Sequence, residues 1–152
     1  MTNSLNFGAM VEGWCRGIPE RIEAVRNTAI DKLAEEMSRT RGQGGRVPFD
    51  TGNLSRSILA STVAMPMTAP GPFSGGNVGA VTATLRFDQP VWLGYQAKYA
   101  RRINYGFVGA DSLGRVYNQA GNYFVEGAIL QWRSFVAESI REIQMAAGPM
   151  KP

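Results

Sequence analysis

Ile18, Ile22, Val25, Ala29, Leu33 and Met37 recur every three or four positions, which places them in one stripe on a helix and predicts a helix over residues 18–40. Pro19 suits the first turn of such a helix, where its missing N–H is no loss. Glu20 and Glu23 sit near the positive end of the helix dipole and Arg39 and Arg41 near the negative end. The Gly42-Gln43-Gly44-Gly45 run then ends the element, and residues 1–17 are left as an N-terminal arm. A second stripe, Val125, Ile129, Trp132, Val136, Ile140 and Ile143, predicts a long amphipathic helix over residues 122–146, closed by Gly148 and Pro149 with a frayed tail beyond.

Between these helices the period changes to two. Val81, Ala83, Leu85 and Phe87 alternate with Thr82, Thr84 and Arg86, the period of a half-buried antiparallel strand. Asp88-Gln89-Pro90 reads as a turn, and residues 91–95 return as the hairpin partner. Upstream, Asp50 or Thr51 is placed to cap a short turn before a strand over residues 57–65. Residues 66–79 mix Pro66, Pro70 and Pro72 with Gly71, Gly75, Gly76 and Gly79, which predicts a long mobile loop or arm. Residues 99–106 make about two helical turns stopped by Gly106, and residues 107–121 read as a second irregular loop.

The expected architecture is a single α+β domain over residues 1–152. A small antiparallel sheet with one short helix, residues 48–106, is packed by a long N-terminal and a long C-terminal helix and bordered by glycine- and proline-rich loops. Apolar residues at 44% and charged residues at 18% suit a chain with a real core rather than a disordered one. Such a small sheet leaves edges and an apolar side that another copy of the chain would cover.

Charge adds a location more than a magnitude. The formal net charge is +4, and residues 1–50 cancel internally. The excess lies between residues 51 and 121, where Arg56, Arg86, Lys98, Arg101, Arg102 and Arg115 face only Asp88 and Asp111. A nucleic-acid binder shows a denser basic stripe interleaved with aromatics, so a solvated basic face is the plainer reading. Trp92, Tyr95, Tyr99, Tyr105, Trp132 and Phe135 are expected in the core or a subunit interface rather than as a stacking platform.

The chain has no histidine, which removes the commonest general base and metal ligand, and its one cysteine cannot build a zinc cluster or an internal disulfide. Cys15 beside Arg16 reads as an unreactive thiol. Gly42-Gln43-Gly44-Gly45-Arg46 follows a helix and lacks the Lys-Ser/Thr of a phosphate cradle, so it reads as a linker. Asp50, Asp88 and Asp111 all fall in turns, where Asp is favoured for its own backbone hydrogen bonds. No catalytic residue, cofactor or metal is expected, and an enzyme is not. The opening Met1-Thr2-Asn3-Ser4-Leu5-Asn6-Phe7 lacks the regions of a signal peptide, and no apolar run has membrane-spanning length, so no membrane partner is expected and synthesis is expected in the cytoplasm.

Two segments carry a resemblance. Asp50-Thr51-Gly52-Asn53-Leu54-Ser55-Arg56-Ser57-Ile58, followed by Tyr99-Ala100-Arg101-Arg102-Ile103-Asn104-Tyr105-Gly106 and a C-terminal helix, resembles the tail-component family of long-tailed bacteriophages, the tail-completion or head–tail joining (neck) proteins. The resemblance implies a structural virion protein made in the host cytoplasm. Its homo-oligomeric ring, commonly six-fold, would cap the finished tail and meet other neck and tail proteins: the head connector or stopper, and the tail terminator or tail tube. It gives Asp50, Thr51, Gly52, Asn53 and Leu54 the role of a structural turn setting the first strand's angle. Tyr99, Ala100, Ile103, Tyr105 and Gly106 would form the short helix, with Tyr99, Ile103 and Tyr105 packing it on the core. Arg101 and Arg102 would meet acidic neighbours or line a channel carrying packaged DNA. The docking loops would be residues 66–79, with Pro70, Gly71, Pro72 and Phe73, and residues 107–121, with Phe107, Asp111 and Arg115. Two positions depart from the family pattern: Asn104 stands where an acidic residue is common, and Tyr123-Phe124 stands where a Pro-Phe step is common. The alternatives are another phage ring, such as a tail terminator or head-closure adaptor, or a small basic nucleic-acid-binding module.

Overall fold

The computed structural model describes the backbone of residues 3–148 and the side chains from Gly17 to Gly148, so the expectations for the Cys15 and Arg16 side chains and for the tail beyond Gly148 lie outside the described residues. The fold is α+β: five α-helices and two separate two-stranded antiparallel sheets among the described residues, with long helices towards both ends. The elements are α1 (Asn3–Ser38), β1 (Ile58–Ser61), α2 (Val78–Thr84), β2 (Trp92–Tyr95), α3 (Ala100–Tyr105), β3 (Gly106–Ala110), β4 (Val116–Ala120), α4 (Phe124–Ile129) and α5 (Trp132–Ala147).

The expected N-terminal arm over residues 1–17 is helical from Asn3, continuous with α1, and Pro19 lies inside the helix rather than in its first turn. An interior proline removes one ladder bond, but propagation adds a bond for every residue fixed once a nucleus exists, so one gap does not end the element. The buried side of α1 is Ala29, Ile30, Ala34 and Met37, with Ile22 left 46% exposed. α5 lies antiparallel on this side: Arg21 donates to the Gly148 carbonyl at 3.0 Å, and further along α1 Lys32 reaches Glu142 at 2.7 Å and Glu138 at 3.6 Å. These exposed ion pairs set direction more than stability, since each is worth about 0–1 kcal/mol. Packing carries the rest, through Phe135 and Ser139 of α5, whose hydroxyl is satisfied by the Phe135 carbonyl at 2.7 Å.

The expected single C-terminal helix is two helices, α4 and α5, broken at Leu130 and Gln131. The break resets the buried face. Phe124, Gly127 and Ala128 are buried on α4 and Phe135 on α5, while Ile129, Trp132 and Ile140 of the predicted stripe are exposed. Arg46 fills the space beside Gly127, within 2.8 Å of where a Cβ would stand.

The largest departure is residues 81–87. The alternating segment belongs to helix α2 and its C-terminal exit, not to a strand, and residues 91–95 therefore have no hairpin partner there. Alternation of small and β-branched residues fits a strand, but Val78, Thr82 and Leu85 also fall at helical spacing, and they face α1 with Thr82 and Leu85 buried. Asp31 on α1 accepts the Thr82 hydroxyl at 2.6 Å. The Asn27 amide donates to the carbonyl of Leu85 at 2.8 Å, which the end of the helix leaves open, and at 2.9 Å to that of Thr82, which also accepts the Leu85 N–H. Tertiary partners on α1 thus outweigh local propensity.

β2 instead pairs with β1, Ile58 opposite Tyr95 and Ser61 opposite Trp92. β1 is shorter than the predicted 57–65 because the Ser61 hydroxyl accepts the Val63 and Ala64 N–H groups and turns the chain away. Its outer edge is closed by a side chain: the Asn77 amide accepts from the Ala60 N–H at 2.8 Å and donates to the Ala60 carbonyl at 3.0 Å, as a neighbouring strand would. Residues 107–121, expected as a loop, form the β3–β4 hairpin with Val108 opposite Asn118. One core cluster gathers Val47, Leu54, Ala97, Ala100 and Phe124, and a second gathers Met37, Ile58 and Ala128. Tyr95 lies between them, its ring edge-on to Phe124 at 5.2 Å and its hydroxyl donating to the Met37 carbonyl at 2.7 Å. No helix of the described residues is long and apolar enough to cross a membrane.

Candidate interaction surface

The two sequence segments singled out above meet in space, and Asn53 joins them. Its amide nitrogen donates to the Tyr99 hydroxyl at 3.0 Å, while its amide oxygen accepts the Phe73 N–H at 2.7 Å. Arg56 adds two bonds, from Nε to the Phe73 carbonyl at 2.9 Å and from Nη2 to the Thr51 carbonyl at 3.0 Å. The turn around Gly52 has φ near 74°, a left-handed conformation that favours glycine, and the Arg56 guanidinium packs over it, so a Cβ there would displace the Arg56 tip. Leu54 is buried in the core, whereas Asp50 and Thr51 are exposed and neither caps the 3-10 turn of Ser55–Ser57. The side chain that ties this segment to the others is Asn53, which the sequence does not single out within the turn.

The proline- and glycine-rich loop is fastened rather than a free arm. Phe73 packs on the core cluster, the Ala69 N–H donates to the Gln96 carbonyl at 3.0 Å, and Asn77 holds β1. Pro70, Gly71 and Pro72 are exposed between these anchors. The exposed apolar side chains here are Val63 and Met65, just before the loop, and Met67 within it, at 85%, 56% and 83% exposure.

α3 ends at Gly106 as predicted. There φ is 83° and ψ 176°, and a Cβ would stand 2.4 Å from the Gln119 carbonyl oxygen, so only glycine fits. The inward face of α3 is Ala100 and Asn104, with Ile103 half-buried, whereas Tyr99 and Tyr105 are exposed and do not pack the helix on the core. The missed residue is Asn104, only 2% exposed. Its amide oxygen accepts the Val125 N–H at 3.1 Å and its carbonyl the Tyr123 N–H at 2.9 Å, capping α4, while its amide nitrogen donates to Glu126 at 2.8 Å. Partial burial would raise the Glu126 carboxyl, but the bonds from Asn104 and Tyr105 outweigh it and hold the group below the usual range. The same bond to Glu126 pushes the Tyr105 phenol up. Tyr123 sits at φ 50°, which a proline in its place cannot adopt, so this helix entry follows from the Tyr123-Phe124 step.

Arg102 and Arg101 part company. The Arg102 guanidinium stacks 3.8 Å from the Phe107 ring centroid and 5.7 Å from that of Tyr117, fixing the hairpin to α3. Arg101 stays exposed beside Lys98 and Tyr105. At the hairpin tip Asp111 organises the turn: its oxygens accept the Leu113 and Arg115 N–H groups at 2.9 Å each, Arg115 Nε at 2.6 Å and the Tyr117 hydroxyl at 3.2 Å. The outward face of the hairpin is bare, with Val108, Leu113 and Val116 at 78%, 76% and 82% exposure. No known protein family, curated protein or solved structure matches the chain.

Proposed function

We propose that the chain is a structural subunit of a long-tailed bacteriophage that forms a homo-oligomeric ring at the head–tail junction. The observation that carries the assembly part is the uncovered apolar face of the β3–β4 hairpin. A two-stranded hairpin alone in water is marginal at best, and this one shows Val108 and Val116 to solvent and leaves ladder edges open. A neighbouring copy that covers the hairpin gives a heterologous contact, and such contacts close into a ring when the rotation between copies allows. The phage part rests on the resemblance of the two segments, and their junction through Asn53 makes them one structural unit.

In this reading the hairpin and the stretch around Met65 and Met67 are the docking elements, and the Asn53 junction holds them at a fixed angle. Sedimentation of the purified chain, together with mass spectrometry of virions from the encoding phage, tests it. A ring-sized species and presence in the particle are expected. A strict monomer that is missing from virions refutes the reading.

A further inference from the structure

A cleft of about 430 Å³ opens beside α3. Its accessible apolar surface is Met65 and Tyr105, both more than half exposed, set over the buried core residues Phe124, Ala97 and Ala100. Lys98 and Arg101 stand exposed at its rim. No acidic side chain lines it, and neither cation has an ion-pair partner among the described residues. The nearby carboxylate of Glu126 does not line the cleft and accepts from the Asn104 amide at 2.8 Å. Asn104 spends its amide on Val125 and Glu126, so the cleft offers a ligand apolar contact and little hydrogen bonding.

We infer that this cleft is a peptide-binding site for an acidic segment of a partner protein, one large apolar side chain seating against Met65 and Tyr105 and flanking carboxylates meeting Lys98 and Arg101. The size falls within the range of formed ligand pockets, about 300–1,000 Å³, towards the end suited to a single anchor. A methionine wall repacks around anchors of differing shape. Charge complementarity selects the flanks: two free cations beside an apolar surface favour an anion attached to an apolar body. Nucleic acid fits less well, because duplex binding draws on many phosphate contacts and this rim supplies two cations. The inference does not require the ring, since the cleft is complete within one chain.

The test uses the full chain and a fluorescein-labelled heptapeptide with three acidic residues on each side of one leucine. Fluorescence anisotropy should show saturable binding that weakens at least about tenfold when alanine replaces the leucine, and disappears when lysines replace the acids. Lys98→Glu with Arg101→Glu should weaken binding by a similar factor. Thr68→Trp, which fills the cleft without changing charge, should do the same, and both variants alter exposed positions. Equal binding by these variants, or no saturation up to about 1 mM, a value near the weak end of measurable affinity, overturns the proposal. So does a single-stranded oligonucleotide that competes for the same residues, or a charge-reversed variant whose only change is its own oligomeric mass, which would mark the cleft as a contact between copies.

Discussion

Asn104 is the residue on which α3 and α4 depend together, and its neighbour makes its identity testable. In Asn104→Asp the amide oxygen that caps α4 is kept, but the donor 2.8 Å from Glu126 becomes a second carboxyl. Two carboxylates at that distance cannot both ionise freely, so the pair takes up a proton and its upper pKa rises above the unfolded value. A raised folded pKa gives stability that is full below the unfolded pKa and lost as pH rises through the folded one. The variant is therefore expected to lose about 1–3 kcal/mol at neutral pH, on the scale of a buried group left without its partner. Much of that should return near pH 4, as read by urea unfolding at the two pH values.

Asn53→Ala carries no such pH signature. It strips the partner from the half-buried Phe73 N–H as well as from Tyr99, and should cost about 1–2 kcal/mol. Tyr99→Phe, which loses one exposed bond, should cost less than half as much in the same assay. Asp111 gives the opposite sign to the Asn104→Asp pair. Burial would raise its carboxyl, but the Arg115 backbone and side chain, Leu113 and Tyr117 together hold it below the usual range. Its contribution is present above the unfolded value and lost as pH falls through the lowered folded one. Amide NMR shifts of Val108 and Asn118 should thus hold at neutral pH and collapse only in acid, a dependence that Asp111→Asn removes.

At the scale of elements, the N-terminal stripe was legible, whereas the C-terminal stripe, which the break at Leu130 and Gln131 resets, and the short alternation were not. The α1 stripe and the Gly106 stop follow from periodicity and from the one residue that tolerates φ 83°. Alternation at residues 81–87 is equally compatible with a helix whose Thr82 and Leu85 face α1, and only Asn27 and Asp31, some fifty residues away in sequence, decide between them. That decision is measurable. Asn27→Leu removes the donor from two carbonyls at the end of α2, and should cost about 1–3 kcal/mol while increasing hydrogen exchange across Val78–Thr84 more than across β1. The hairpin at residues 106–120 escaped sequence reading for a related reason. Its turn is built by Asp111 side-chain bonds rather than by an Asn-Gly or Asp-Gly pair, and its inner face is completed by Arg102 from the preceding helix. The candidate surface shows the same division: the Gly106 stop of α3 follows from the residue itself, whereas the burial of Leu54 and Ala100 and the roles of Asn53 and Asn104 depend on partners in distant segments.

At the scale of the molecule, exposed apolar side chains are unevenly placed. The hairpin shows Val108, Leu113 and Val116, and the α4–α5 break shows Ile129 and Leu130 at 56% and 83% exposure. Single exposed apolar residues need no explanation, but a strand face with its ladder edges open favours a partner. Val108→Lys with Val116→Lys puts charge on that face without touching the core, because both side chains are mostly exposed and lie opposite the ring face held by Arg102. The unfolding midpoint of the dilute monomer should therefore move little, within about 0.5 kcal/mol. A desolvated lysine pair at a copy-to-copy contact costs several times more. Sedimentation should then show the wild-type chain as a closed oligomer and the double variant as a folded monomer at the same concentration. Oligomers that survive both lysines would place the contact elsewhere, with Ile129 and Leu130 the next positions to charge.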